Sequence, residues 1–113
     1  KYNVGLIMGG TFLQGFLAVK QREKIEAALK DATFGGWMTE ERCRRILKIY
    51  DLSEEVGMPL TEMAIRYVLS DPDIHTQIPG AQKVEHLKAN LEAAAKGPLP
   101  MDLVRRIDAI SCP

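Results

Sequence analysis

The sequence predicts an α/β domain of two parallel strands with four to five helices, and a sheet that is incomplete. Strand-like runs at Val4–Met8 and Ile74–Ile78 are each closed by glycine, at Gly9-Gly10 and Pro79-Gly80. The first run is apolar throughout, the pattern of a strand covered on both faces. Helical segments fill the space between and after them, and strands alternating with helices imply parallel pairing through right-handed crossovers. Two buried-type strands alone leave unpaired edges and an uncovered apolar face. The 113 residues therefore ask for more sheet than they contain.

Each element has its own signal. Thr11 to Gly15, with Phe12 and Leu13, is a loop too apolar to lie freely in solvent. Residues from about Lys20 to Lys30 have helix-forming composition, with Ile25, Ala28 and Leu29 on one side. Asp31 to Met38 is an irregular connection around Gly35-Gly36-Trp37. Thr39 starts the best helix: it is a good N-cap, and Glu40 and Glu41 complement the dipole in the first turn. Cys43, Ile46, Leu47 and Tyr50 form one apolar stripe and Ile49, Leu52 and Val56 a second, which predicts contact with both a sheet and a neighbouring helix. Gly57 closes this helix as C′, and Pro59 forbids its continuation. Thr61 is the expected cap of the next helix, which turns Ala64, Tyr67 and Val68 inward and stops near Ser70-Asp71-Pro72. A helix from about Lys83 to Lys96 has an apolar face of Val84, Leu87, Leu91, Ala94 and Ala95, ended by Gly97-Pro98. The last helix runs from about Met101 with Leu103, Val104, Ile107 and Ile110.

Bulk properties narrow the function. Fifteen Lys and Arg balance fifteen Asp and Glu, and the isoelectric point is about 6.9, so charge indicates neither a nucleic-acid surface nor an acidic tail. Hydrophobic residues make up 46% and charged residues 27%, values of a globular protein. No apolar run approaches the roughly 18 residues of a membrane span, and Lys1-Tyr2-Asn3 does not read as a signal peptide. Cys43 and Cys112 are too few for a disulfide framework, and the expectation is two reduced thiols in a cytoplasmic protein. A strand three residues from Lys1 is the beginning expected of a piece of a larger protein.

The chemistry is expected where strands end. Gly9-Gly10-Thr11 follows the first strand; Gly80-Ala81-Gln82 follows the second, just before a helix. In parallel α/β folds glycines there let a phosphate approach the main chain, and the helix dipole adds positive charge. From spacing alone the same glycines read more simply as plain turns than as an anion site, since no phosphate-loop or dinucleotide glycine pattern is present. Lys83, His86 and Asn90 share one stripe, either to read a nucleotide or as part of a solvated face. His75 and His86 are the only histidines, and neither stands at metal spacing from a cysteine. Cys43 is a core residue rather than a nucleophile. Tyr50 and Tyr67 read as core residues with a polar tip. Asp51, Glu54 and Glu55 read as surface charge, and Trp37 as a satellite core residue or a flap over a ligand.

These residues carry a resemblance. VGLIMGGTFLQGFL at 4–17 resembles the seventh strand and following loop of the aldo-keto reductases. The stretch from Ile65 to Asn90, with its flanks AIRYVLSDPDIHTQIPGAQKVEHLKANL, is more specific: the family has A-L-R-W-V-L, a short gap, a strand ending I-P-G-A, and a helix ending E-N-L. Ile78-Pro79-Gly80-Ala81 and Asn90-Leu91 match at the expected separation, and Leu103 to Ile107 fits the helix that follows. The resemblance implies the C-terminal part of a (β/α)8 TIM barrel, residues 1–113 being a single incomplete domain, because a barrel needs about 250 residues. It implies an oxidoreductase that moves hydride between NADP or NAD and a small carbonyl or sugar substrate, with the remaining N-terminal part of the barrel as partner. A non-catalytic interaction or regulatory module of the same family is the alternative. The family's catalytic residues lie on earlier strands, so none is assigned in this chain.

Carried over by position, Gly9, Gly10, Thr11, Phe12 and Gln14 fall in the loop around the cofactor. Gly80, Ala81, Gln82 and Lys83 fall where the adenosine ribose or its phosphate would lie, with His86 beside them and Asn90 at the adenine. Three departures matter. Gly9 replaces the aromatic that usually stacks on the nicotinamide, Ala89 replaces a Glu, and no Arg stands between Gly80 and His86 to fork onto a 2′-phosphate. NAD therefore remains open beside NADP.

Overall fold

A computed structural model gives the order β1 (Ile7–Met8), α1 (Arg22–Asp31), α2 (Glu40–Val56), α3 (Leu60–Leu69), β2 (Thr76–Gln77), α4 (Val84–Ala95) and α5 (Met101–Ser111). It describes residues 4–12, 15–32, 34, 36 and 38–111. Leu13, Gln14, Trp37 and Cys112, which carry several of the sequence expectations, lie outside the described residues. The two strands pair in parallel, Ile7 opposite Thr76 and Met8 opposite Gln77. The class is α/β, with two parallel strands and five helices.

The strands are shorter than expected, two residues each in place of five. Parallel pairs need neighbours and covering layers to persist, and here Val4, Leu6 and Ile7 remain 71%, 47% and 62% exposed. The approach to β2 is also bent. Asp71 Oδ1 accepts from the Asp73 N–H at 2.9 Å, and the Asp71 carbonyl accepts from Ile74 at 3.2 Å, a turn that holds the chain off the ladder until His75.

The helices follow their caps. Thr39 Oγ1 accepts from the Arg42 N–H at 3.2 Å, and Gly57, at φ +68°, donates back to the last turn of α2 while Met58 N–H reaches the Ser53 carbonyl. That six-to-one closure needs the left-handed conformation glycine supplies. The third helix starts one residue before the expected Thr61 cap. Pro59 is its N-cap, with its carbonyl accepting from Met63 at 3.0 Å, so Thr61 lies inside the first turn.

Three apolar clusters hold the helices. Phe16, Ile25, Cys43, Ile46, Tyr50 and Leu60 join α1 to α2. Leu52, Met63, Leu99, Leu103 and Ile107 join α2, α3 and α5. Phe12, Ala64, Ile65 and Ala93 join the loop after β1 to α3 and α4. The two stripes of α2 thus serve helices on both sides, where contact with a sheet was expected for one. The expected apolar face of α4 also fails to pack: Val84, Leu87 and Leu91 are more than half exposed, and the buried side is that of Asn90 and Ala93. Small residues let α4 lie close on α3, and its larger stripe faces away from that helix.

Candidate functional site at the strand ends

Parallel pairing sends Gly9 to Phe12 and Gly80 to Lys83 out of the same end of the sheet. Gly10 sits at φ +67°, a conformation that disfavours any residue with a Cβ. Nothing approaches within 4 Å of where a Cβ would stand at Gly9, Gly10 or Gly80, so these backbones have open space over them.

Behind the first loop, the side chains turn inward. The Thr11 hydroxyl donates to Gln77 Oε1 at 3.3 Å, and Gln77 Nε2 donates to the Ile65 carbonyl at 3.0 Å. Gln77 therefore fastens the loop after β1 to β2 and α3 at once. Thr11 and Phe12 are both buried, Phe12 against Ala64, Ile65 and Ala93. What these two residues offer outward is main chain. Gln77 was not among the expected site residues; a lone amide in a short strand was the signal for it.

The second loop opens onto the start of α4. Lys83 is its N-cap in an extended conformation, and no side chain caps the helix. The first intrahelical bonds run from His86 and Leu87 to the Lys83 carbonyl at 3.1 and 3.2 Å, which leaves the earlier amides without helical acceptors. Ala81, Gln82, Lys83 and His86 are exposed. Asn90 is not: it is 7% exposed, and its Nδ2 donates to the Gly80 carbonyl at 3.3 Å. The stripe of Lys83, His86 and Asn90 is thus split, two residues facing solvent and the third bracing the loop. The structure brings the two expected groups to one end of the sheet, with Gln77 fastening the first and Asn90 bracing the second.

An apolar groove of about 520 Å³ borders the first loop, lined by Gly10, Thr11, Ile49, Met63 and Tyr67 among others. The other reactive side chains lie elsewhere. Tyr50 is fully buried; its hydroxyl donates to the Phe16 carbonyl at 2.6 Å and accepts from Gln21 N–H at 3.2 Å. Burial raises its pKa, with the Gln21 amide opposing. Burial likewise raises the Cys43 thiol, with Glu40 adding to it. On the far side of α3, Glu62 accepts from Arg66 at 3.1 Å and from Lys96 at 2.6 Å, while Arg66 also donates to the Gly97 and Pro98 carbonyls. Lys96 first, then Arg66, lowers the Glu62 pKa against a burial effect in the opposite direction. Among the described residues no group of three His, Cys, Asp or Glu gathers to hold a metal. No described helix is long and apolar enough to cross a membrane.

Fold and site together define an α/β chain with glycine-lined strand ends and an uncapped helix start beside them. The chain belongs to the aldo/keto reductase family, whose sequence profile matches residues 1–111. It is similar to an uncharacterized oxidoreductase of Bacillus subtilis, 23% identical over 94 residues, a match covering 83% of this chain and 30% of that protein. It is similar to an NADP(+) aryl-alcohol dehydrogenase of Phanerodontia chrysosporium, 40% identical over 62 residues, 53% of this chain and 16% of the relative. A putative aryl-alcohol dehydrogenase of Saccharomyces cerevisiae is 33% identical over 88 residues, 77% of this chain and 23% of its own length. The matched part is thus less than a third of each of these relatives.

Proposed function

We propose that this chain is the C-terminal, dinucleotide-holding part of a (β/α)8-barrel oxidoreductase that transfers hydride between NADP or NAD and a carbonyl–alcohol pair. The observation that carries the reading is the shared end of the sheet. There the open glycine backbones after β1 and β2 meet the uncapped start of α4. That combination suits the anionic half of a dinucleotide, since unbonded amides and the helix dipole both favour phosphate.

On this reading the first-turn amides of α4 and the main chain of Gly80 to Gln82 hold phosphate or ribose, with Lys83 as a point charge. Asn90 keeps the Gly80 carbonyl occupied, so that the loop presents donors rather than an acceptor to an anion. Gln77 and Thr11 set the first loop, and Gly10 allows the main chain to pass close to the cofactor. The nicotinamide, when bound, supplies or takes up the hydride. The proton donor and the substrate pocket belong to the rest of the barrel, and the relatives' names favour an aryl alcohol and its aldehyde as the substrate pair.

The reading also gives the uncovered apolar surface a purpose. Val4, Ile7 and Ile78 on and beside the strand pair, and Val84, Leu87 and Leu91 along one face of α4, are each more than half exposed, apolar surface that suits a covering partner. The remaining N-terminal part of the barrel is the partner that covers them. A cytoplasmic location fits the cofactor and the free, buried Cys43.

The test is reconstitution. The 113-residue chain alone is expected to aggregate or oligomerise and to show no carbonyl-dependent oxidation of NADPH or NADH. Joined to the preceding barrel segments, it is expected to bind dinucleotide and turn over an aryl aldehyde. Turnover by the chain alone contradicts the proposal.

A further inference from the structure

At the end of the strand pair opposite the candidate site, one histidine does the work of main chain. In a regular parallel ladder both polar groups of a residue are met by backbone groups of the neighbouring strand. The Leu6 carbonyl is met in this way, by the N–H groups of His75 at 3.0 Å and Thr76 at 3.2 Å. The Leu6 N–H is not. Its regular acceptor would be a carbonyl just before His75, but the Asp71 turn bends that part of the chain away. The imidazole fills the gap: Leu6 N–H donates to His75 Nδ1 at 2.8 Å. His75 thus holds both polar groups of Leu6, one with its backbone and one with its ring.

We propose that His75 is a proton-sensitive latch on the β1–β2 pair. Accepting from Leu6 requires an unprotonated Nδ1, so the ring proton of the neutral form sits on Nε2. Adding a second proton turns Nδ1 into a donor facing a donor, and the latch opens. Histidine is the side chain that ordinarily changes charge in the pH range of cells and their compartments. From Val4 to Thr11 the facing strand and its flanks carry no titratable side chain. The acidic groups on the approach to His75 are Asp71 and Asp73, and the carboxylate of Asp71 is turned to the Asp73 amide. Among the described residues no charged side chain forms an ion pair with the ring.

The test uses the longer protein, with ring and amide resonances followed from pH 8 to pH 5. At pH 8 the ring nitrogens are expected to show the Nε2–H tautomer. The amide-exchange protection factors of Leu6 and Thr76, corrected for intrinsic exchange, are expected to fall about five- to tenfold as the ring titrates, the size of one net hydrogen bond. His75→Gln, which keeps an acceptor that does not titrate, is expected to remove the step. His75→Phe is expected to give low protection at every pH. An Nδ1–H tautomer at pH 8, or protection that stays flat through the ring's own titration, overturns the proposal and needs no variant to do so.

Discussion

Replacing Gln77 by Leu removes the amide that joins the first loop, β2 and α3 while keeping most of its volume. Two hydrogen bonds go with it: the donation to the Ile65 carbonyl at 3.0 Å, and the acceptance from Thr11 at 3.3 Å. Ile65 is 1% exposed, so water does not readily replace the first bond. The Ile65 carbonyl keeps its helical partner within α3, so each lost bond counts as one net hydrogen bond of about 0.5–1.5 kcal/mol, the longer one toward the lower end. Gln77→Leu is therefore expected to cost about 2 kcal/mol in urea unfolding of the barrel-completed protein. Thr11→Val, which loses the second bond alone, is expected to cost about 1 kcal/mol. Because the two residues share that bond, the double variant falls short of the sum by about 0.5–1 kcal/mol. Gln77→Glu still accepts from Thr11 but turns a carboxylate oxygen on the Ile65 carbonyl, and is expected to be no better than Leu. A loss below about 0.5 kcal/mol for Gln77→Leu, or strict additivity with Thr11→Val, would refute the reasoning that this amide sets the loop.

Other expectations follow from the same geometry. Tyr50→Phe leaves the Phe16 carbonyl and the Gln21 amide without their hydroxyl partner, and calorimetry is expected to register a loss of about 1–3 kcal/mol. Glu62 is held below the ordinary carboxylate range by Lys96 and Arg66; a depressed folded value means its contribution is intact above about pH 4.5 and lost as pH falls through that lowered value. Acid unfolding of Glu62→Gln is accordingly expected to have a shallower slope below pH 4.5 than the parent, and identical slopes would show that the pair contributes nothing. Cys43, fully buried and with its thiol raised, is expected to resist alkylation at neutral pH until the protein unfolds, as peptide mapping can read separately from Cys112. Asn90→Ala releases the Gly80 carbonyl and is expected to weaken dinucleotide binding by about 1–2 kcal/mol, measured by titration calorimetry; unchanged affinity would take Asn90 out of the site.

Features that depend on neighbours in sequence were legible before any coordinates. The Thr39 cap, the Gly57 stop and the burial of Cys43, Ile46 and Tyr50 follow from local bonds and helical spacing, and the structure has all of them. The glycine-ended strands and the helix that follows the second were placed by the same means. What depended on distant partners was not legible. The roles of Gln77 and His75 come from contacts with residues 66 to 69 positions away, and no periodicity encodes them. Within this chain α4 buries the face of Asn90 and Ala93, because packing on α3 selects small side chains, while the larger stripe that hydrophobic spacing picks out is the surface the proposal gives to the rest of the barrel. Likewise the strands shortened because their length depends on the neighbours beside them.

The central claim is that the shared end of β1 and β2 holds the anionic half of a nicotinamide dinucleotide. The most direct measurement is amide exchange of the barrel-completed protein with and without NADPH. Slowed exchange at Gly10, Gly80, Ala81, Val84 and Glu85 is the expected result. Cofactor binding that leaves those amides unchanged, while protecting others, would contradict the account.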